Sequence, residues 1–503
     1  MAQIIILTGN THVNEEYPRV QRTLGAYRVA SALIQSGYSV QVIDYIQYMS
    51  SDELVNALSK YLERETLWVG YSSTFFGLNL GSFTHKKSEY TDLYKMYTTN
   101  MDTMSIVYDY IRKNSNAKIV FGGSKVLGPK VDPRVDYYML GYSDISSVHL
   151  SDFLSGKINQ LEGASILENG STLVDSSKFE EPKMTDIKTD WGHDSFLLLP
   201  KEPVSLEFAR GCIFKCKFCN YPLLGKKKGT YIRDMQEVRD NLIELWETKQ
   251  TDSFYITDDT FNDDNDKMEE FHKLFTTLPF KPKFACFLRI DLLDKFPQQA
   301  DLLAEAGLIG AFFGVESFNH KSARVIGKGL HPDKVKKRLS WLKSKWKGTT
   351  NISAGLIMGL PYDNDQYFQE LYDYITSDDY PIDQTSFSPL WIKDPKFGVD
   401  PYSSEFTLKP EIYGYSFDEE GRWIHENGLT ADIAGNIARQ LAEANHANTK
   451  VKAGDFSMIT YLALGVPLHD ILNMSQYGLH LKYNIPKLNE PILNTYKKMI
   501  GAI

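Results

Sequence analysis

Apolar and polar positions along the chain form two series of short buried runs alternating with helical repeats. In the first series, "IIILTG" (4–9), "YSVQVID" (38–44), "LWVGYSSTFFG" (67–77), "AKIVFGGSKV" (117–126) and "VDYYMLGYSD" (135–144) read as strands. Between the first two, "RTLGAYRVASALIQSG" repeats at helical spacing, with Leu24, Val29 and Leu33 inward and Gly37 as its stop. The second series starts near residue 200. "SFYITDDTF", "KFACFLRIDLL", "IGAFFGVESF" and "NISAGLIMGLP" read as strands. "MQEVRDNLIELWE", with Val238, Leu242 and Leu245 on one face, "ADLLAEAGL", stopped at Gly307, and "DKVKKRLSWLKSK" read as helices. Regular alternation of this kind predicts parallel sheets, with ligands at the carboxyl ends of the strands. Several of those ends carry glycines, acids or an arginine.

The pattern divides the chain into an α/β succession. Residues 1–150 are expected to form a Rossmann-like, doubly wound domain, and 151–200 a polar connector with some hairpin pairing. Residues 201–395 form a second β/α unit, and 396–503 a mostly helical region. In the last, "LTADIAGNIARQLAEAN" predicts a helix capped by Thr430, with Ile433, Ile437 and Leu441 on one face.

Hydrophobic residues make up 42% of the 503-residue chain, enough for more than one core. No run of eighteen or more apolar residues occurs, and the start lacks a basic leader. A protein without membrane spans, in the cytoplasm, is expected. The net charge of −9 argues against a broad nucleic-acid-binding face, and the local run Lys226, Lys227, Lys228 reads as a solvated loop.

Composition becomes informative at cysteine. Three of the four cysteines fall within "EFARGCIFKCKFCNYPLLG", spaced Cys212-x3-Cys216-x2-Cys219. A structural zinc site takes four ligands, usually from two separated pairs. A thioredoxin-like site takes two. Three thiolates on one short loop suit a [4Fe–4S] cluster with one iron left open. Cys286, in an apolar run, reads as a core cysteine.

With Phe218 before the last cysteine, this segment resembles the signature of the radical S-adenosylmethionine (SAM) enzymes. The resemblance runs from about 200 to 395. It implies a partial β/α barrel, a cluster on Cys212, Cys216 and Cys219, and SAM chelating the open iron. "ITDDTF" is similar to the family's second-strand segment, which makes Asp258 and Asp259 candidates for the SAM amino group. "LRID" points to Arg289 for the SAM carboxylate, and "FGVES" to Glu316 for the amino acid or ribose. "GLIMGLP" points to Leu356, Ile357 and Gly359 against adenine. The plainer readings are Asp259 as a helix cap, Arg289–Glu316 as a salt bridge and Gly359–Pro361 as a turn.

The first 150 residues resemble the cobalamin-binding domain attached to one class of these enzymes, through "TLGAYRVASALIQSGYSVQVIDY", "VGYSST" and "VFGG". This implies a cobalamin nucleotide tail near Ser72, Ser73, Gly122 and Gly123. His12, in "GNTHVNEEYP", stands where some cobalamin proteins place a cobalt ligand, but without the orienting aspartate, so cobalamin without a protein histidine is expected. The resemblance implies reductive cleavage of SAM to a 5′-deoxyadenosyl radical, fed by a donor such as flavodoxin or ferredoxin. Hydrogen abstraction from an unidentified substrate would follow, and then methyl transfer through cobalamin. The alternatives are an oxidation, cyclisation or rearrangement with the N-terminal domain as scaffold, or an iron–sulfur electron carrier or redox sensor. Trp423, His425 and Tyr461 are weaker candidates for lining a site.

Overall fold

The structure is a computed structural model. It describes residues 2–9, 20–72, 101–123, 132–179, 188–221, 224–227, 231–397, 399, 402–447 and 451–503, without the side chains of 101–103, 446–447 and 455–456. His12, Ser73 and Lys228 lie outside the described residues. The chain divides into two units, Met1–Ser205 with Gln236–Thr251 and Ile485–Ile503, and Leu206–Met235 with Asp252–Asn484.

In the first unit, β1 (Ile4–Leu7), β2 (Val40–Ile43), β3 (Trp68–Ser72), β4 (Lys118–Gly123), β5 (Tyr137–Leu140), β6 (Ala164–Ile166) and β7 (Thr172–Asp175) form one sheet, ordered β2-β1-β3-β4-β5-β7-β6. All neighbours pair parallel except β6 with β7. β1 and β2 are buried throughout, as strands covered on both faces must be. The order 2-1-3-4-5 is a doubly wound one. The connector adds to this sheet. A turn from Leu167 to Gly170, held by the Gly170 N–H on the Leu167 carbonyl at 2.9 Å and with Gly170 at φ +87°, closes the β6–β7 hairpin. The helix Leu24–Gln35 buries Tyr27, Ala30 and Leu33, whereas Leu24 and Val29 are only half-buried. It is covered on more than one side, so a single-face reading misplaces its inward residues.

A buried ionic knot ties this unit's separate segments together. The Arg22 guanidinium is fully buried. It pairs with Glu202 at 2.7 Å, donates to the carbonyls of Phe196 and Leu197, and lies over the rings of Tyr27, Tyr45 and Tyr496. The last helix, Ile485–Ile500, joins the same unit. Tyr496 Oη accepts the Asp44 N–H at 2.8 Å, and Lys497 pairs with Glu53 at 2.8 Å.

The second sheet has β8 (Val204–Leu206), β9 (Ser253–Ile256), β10 (Lys283–Leu288), β11 (Leu308–Glu316), β12 (Asn351–Met358) and β13 (Gln384–Pro389) in sequential order. β9 through β13 pair parallel, with helices between them. Sequential parallel strands with helical crossovers make a partial β/α barrel, as the family resemblance implies. Val238, Leu242 and Leu245 are the buried residues of the helix Met235–Lys249. Cys286 is fully buried in β10.

An aromatic cluster sets the entry to the cysteine segment. Phe208, Phe261, Phe271, Phe275 and Phe284 are all buried, with Phe271–Phe275 at 4.1 Å, Phe261–Phe271 at 4.7 Å and Phe208–Phe271 at 5.2 Å between ring centres. Such pairs contribute about 0.5–1.5 kcal/mol each beyond their buried area. They hold Phe208, after β8, and Phe261, after β9, against the helix Asn265–Thr276.

Beyond β13 come a hairpin, β14 (Tyr415–Phe417) with β15 (Trp423–His425), and the helix Ala431–Ala447. Thr430 Oγ1 accepts the Ile433 N–H at 3.2 Å, the expected cap. The buried face is Ala434, Ala438 and Leu441, while Ile433 is exposed. The prediction of Ile433 on the inward face is therefore corrected. This helix packs on β12 and β13, and small alanines permit the close approach. Trp423, His425 and Tyr461 are buried and hydrogen-bonded. Trp423 Nε1 donates to the Leu390 carbonyl at 2.8 Å, His425 Nε2 bonds Tyr413 O at 3.0 Å, and Tyr461 Oη bonds His480 at 2.9 Å.

Candidate active site

The three thiols sit on the segment that leaves β8. Its base is closed by pairing of Ala209 with Ile232, and its middle by pairing of Cys212 with Leu224. Lys226 N–H donates to Cys212 O at 2.9 Å, Gly225 N–H to Phe214 O at 3.1 Å, and Cys219 N–H to Cys216 O at 3.0 Å. Cys212 is buried, Cys216 and Cys219 half-buried, and all are free thiols. Phe218 is half-buried beside them. Thr260 Oγ1 lies 3.4 Å from Cys212 Sγ. Burial pushes the Cys219 thiol up to about 12 and raises Cys212 as well. Such thiols stay neutral until a metal takes the proton's place. Among the described residues no three or more His, Cys, Asp or Glu side chains gather as for a single metal ion. A cubane holds its thiolates on separate irons and needs no such convergence. Three soft donors on one short, partly buried loop fit a cluster of that kind.

The two adjacent acids after β9 have opposite fates. Asp258 turns inward and accepts from the N–H groups of Phe208 at 2.8 Å and Ala209 at 3.1 Å, and from Lys267 Nζ at 3.3 Å. Burial pushes its carboxyl up to about 6, against the pull of Lys267. Lys267 also bonds Asp263 at 2.6 Å, and Asp263 accepts from the Tyr231 hydroxyl. This network joins both flanks of the cysteine segment to β9. Asp259, by contrast, has a buried Oδ2 with no hydrogen-bond partner among the described residues. Burial, then the charges of Asp258 and Glu207, push its carboxyl up to about 7. It caps no helix; Asp264 caps the one that follows.

Arg289 is buried at the end of β10. Its Nε and Nη2 bond Asp291 at 3.0 and 2.7 Å, Nη1 lies 3.5 Å from Cys216 Sγ, and the guanidinium sits 3.7 Å from the Phe214 ring centre. Glu316 ends β11 at φ +67°, beside a register shift, and pairs with Lys328 at 3.4 Å. The simpler Arg289–Glu316 salt bridge is thus replaced by two separate pairs. Asp291 and Lys328 were not singled out from the sequence. The Arg-x-Asp spacing of "LRID" could have signalled the first, and nothing marks the second.

Leu356 is buried opposite Glu316 in β12, and Ile357 is half-buried. Gly359 follows at φ +94°, where a Cβ would stand 2.6 Å from the Trp423 ring. Its N–H and that of Leu360 donate to Asp363 Oδ2 at 3.1 and 3.0 Å. Turn and packing therefore account for this glycine. Gly359→Ala is expected to cost about 1–3 kcal/mol, read from urea unfolding followed by tryptophan fluorescence. An unchanged midpoint would contradict this.

In the first unit, Ser72 at the end of β3 pairs with Gly122 in β4, and Gly123 follows at φ +140°. A Cβ on Gly122 would meet nothing nearer than Met139 at 3.8 Å, so packing does not require that glycine.

The thiol loop follows the first strand of the sequential second sheet, and the open Asp259 carboxylate, just beyond the next strand, lies near enough for its charge to act on Cys212 and Cys219. Residues 206–375 match the family model of the Radical SAM superfamily, and this stretch of the chain is a radical SAM domain. The whole chain is similar in fold to the radical SAM methyltransferase TsrM from Kitasatospora setae, solved with cobalamin and a [4Fe–4S] cluster bound. The TM-score is 0.64 and the identity 16%, covering 98% of this chain and 100% of that one. It is also similar to the cobalamin-dependent SAM radical enzyme OxsB, solved with aqua-cobalamin and SAM, with TM-score 0.55 and 14% identity over 99% of this chain and 71% of that one. At these identities the likeness is one of fold. A search of the curated proteins finds no match. Among the described residues, no helix is long and apolar enough to cross a membrane.

Proposed function

We propose that the chain is a cobalamin-dependent radical SAM methyltransferase, with its cluster on Cys212, Cys216 and Cys219. The observation that carries this reading is likeness in fold to TsrM over nearly the full length of both chains, a parallel N-terminal sheet included. When bound, the cluster supplies one electron to cleave the S–C5′ bond of SAM, and cobalamin supplies a methyl carrier.

The chain's own residues recognise and orient. The unpartnered Asp259 Oδ2 accepts from the SAM ammonium, which offsets the cost of burying that carboxylate alone. Arg289, anchored by Asp291, retains N–H groups beyond those it uses and directs them to the SAM carboxylate. Glu316, Leu356 and Ile357 stand at neighbouring strand ends for the rest of SAM. Ser72, Gly122 and Gly123 receive the cobalamin tail, where Gly122 leaves the backbone open. An external one-electron protein and an unidentified substrate complete the reaction. A simple electron carrier has no use for an open carboxylate beside its cluster.

Arg289→Ala is expected to weaken SAM binding about 10- to 100-fold, more than it disturbs the cluster on neighbouring Cys216, as equilibrium binding and iron assay would read. Equal affinity in the variant would remove Arg289 from the site. Visible spectra of protein purified anaerobically from cobalamin-supplied cells test the cobalamin reading. Absence of cobalamin bands, with the cluster present and free cofactor in excess, would favour the alternative in which the N-terminal domain is scaffold. S-adenosylhomocysteine and a methylated product distinguish methyl transfer from the oxidation or rearrangement alternatives.

A further inference from the structure

The peptide of Lys217, between two of the cysteines, is held from both sides. Its N–H donates to Ile326 O at 3.2 Å, and its carbonyl accepts from Phe406 N–H at 3.1 Å. The second contact comes from a stretch that the sequence leaves without a role. Ser404 caps the short helix Glu405–Leu408, accepting the Thr407 N–H at 3.2 Å. Glu405 pairs with Lys217 Nζ and accepts from the Tyr413 hydroxyl. Phe406 is fully buried against the rings of Tyr413 at 4.5 Å and Tyr415 at 5.6 Å. A charge pair, a main-chain bond and an anchored aromatic therefore converge on one residue of the cysteine turn.

We propose that the segment Ser404–Tyr413 is a strap that positions the Cys216–Cys219 turn, with Glu405 and Phe406 acting through Lys217 to keep the thiols directed at the cluster. The inference rests on the cluster reading above. Release of iron requires the turn to open, and the strap opposes that opening. Its residues are positioning residues, since their bonds reach the thiol turn through Lys217.

The test is iron loss to a chelator from the full-length, anaerobically reconstituted protein, with electron resonance of the reduced cluster and the melting temperature of the cluster-free chain. Glu405→Gln is expected to speed iron release about 1.5- to fivefold, the range for losing one partly exposed ion pair. It should alter the resonance line shape without lowering the melting temperature. Glu405→Lys should act more strongly, because it sets like charges together, and adding Lys217→Glu should restore most of the wild-type rate. Wild-type release rates and spectra in both single variants would overturn the inference. So would faster release that tracks a lower melting temperature and is not restored by the charge swap. A wild-type chain that takes up no iron would overturn the cofactor reading itself, and this inference with it.

Discussion

Replacing Cys212, Cys216 and Cys219 together with alanine is expected to reduce bound iron from about four per chain to none after anaerobic reconstitution. These are the only thiols on the segment after β8, and each loses its soft donor in the variant. The turn itself should persist. Its backbone bonds, from Cys219 N–H to Cys216 O and from Lys226 N–H to Cys212 O, do not involve sulfur. Far-ultraviolet dichroism should therefore match the wild type while iron and sulfide assays read zero. Cys286→Ala, buried within β10, should keep the full cluster. Full iron in the triple variant, or its loss in Cys286→Ala alone, would contradict the assignment.

Lys267→Met is expected to destabilise the second unit by about 3–5 kcal/mol, the cost of leaving buried charge uncompensated. Lys267 is fully buried, 3.3 Å from Asp258 and 2.6 Å from Asp263. Burial alone would push its pKa down, yet the two carboxylates hold it above its ordinary value. The loss should depend on pH. Burial disfavours the Asp258 anion and pushes its carboxyl up to about 6, above its usual range. The folded state then binds more protons than the unfolded one, so this group's contribution is present at low pH and is lost as pH rises through about 6. Removing Lys267 takes away the charge that restrains this shift, which moves the window upward. Urea unfolding should show the variant's deficit growing from pH 5 to pH 8, while Lys267→Arg retains part of the stability. A pH-independent deficit would contradict the account. Asp258 also binds the Phe208 and Ala209 N–H groups, so the variant should bind its cluster less firmly too.

The fold was largely legible because its signals are local and repeated. Every strand expected in the two series is present, since short apolar runs between glycine or acid stops leave little freedom. The cysteine spacing marked the site directly. What the sequence could not apportion was adjacent residues and distant partners. Asp258 and Asp259 look alike in "TDDT", but the Phe208 and Ala209 N–H groups and Lys267 take up Asp258, and Asp259 Oδ2 is left open. Arg289 and Glu316 invited pairing with each other, whereas Asp291 and Lys328 lie closer. In the helix after Thr430, buried alanines replaced the expected isoleucine, because approach to β12 and β13 favours small side chains. The strap on Lys217 joins residues far apart in sequence, and no local pattern announces such a contact. The connector hairpin and the last helix joined the N-terminal unit for the same reason.

The central claim is reductive cleavage of SAM at the Cys212–Cys219 loop, beside Asp259 and Arg289. Chromatography of 5′-deoxyadenosine formed by anaerobically reconstituted protein, with dithionite and SAM, tests it most directly. The account predicts formation by the wild type, slow even without substrate, and none by the triple-alanine variant. Wild-type protein carrying a full cluster that forms no more 5′-deoxyadenosine than that variant, with and without candidate substrates, would contradict it.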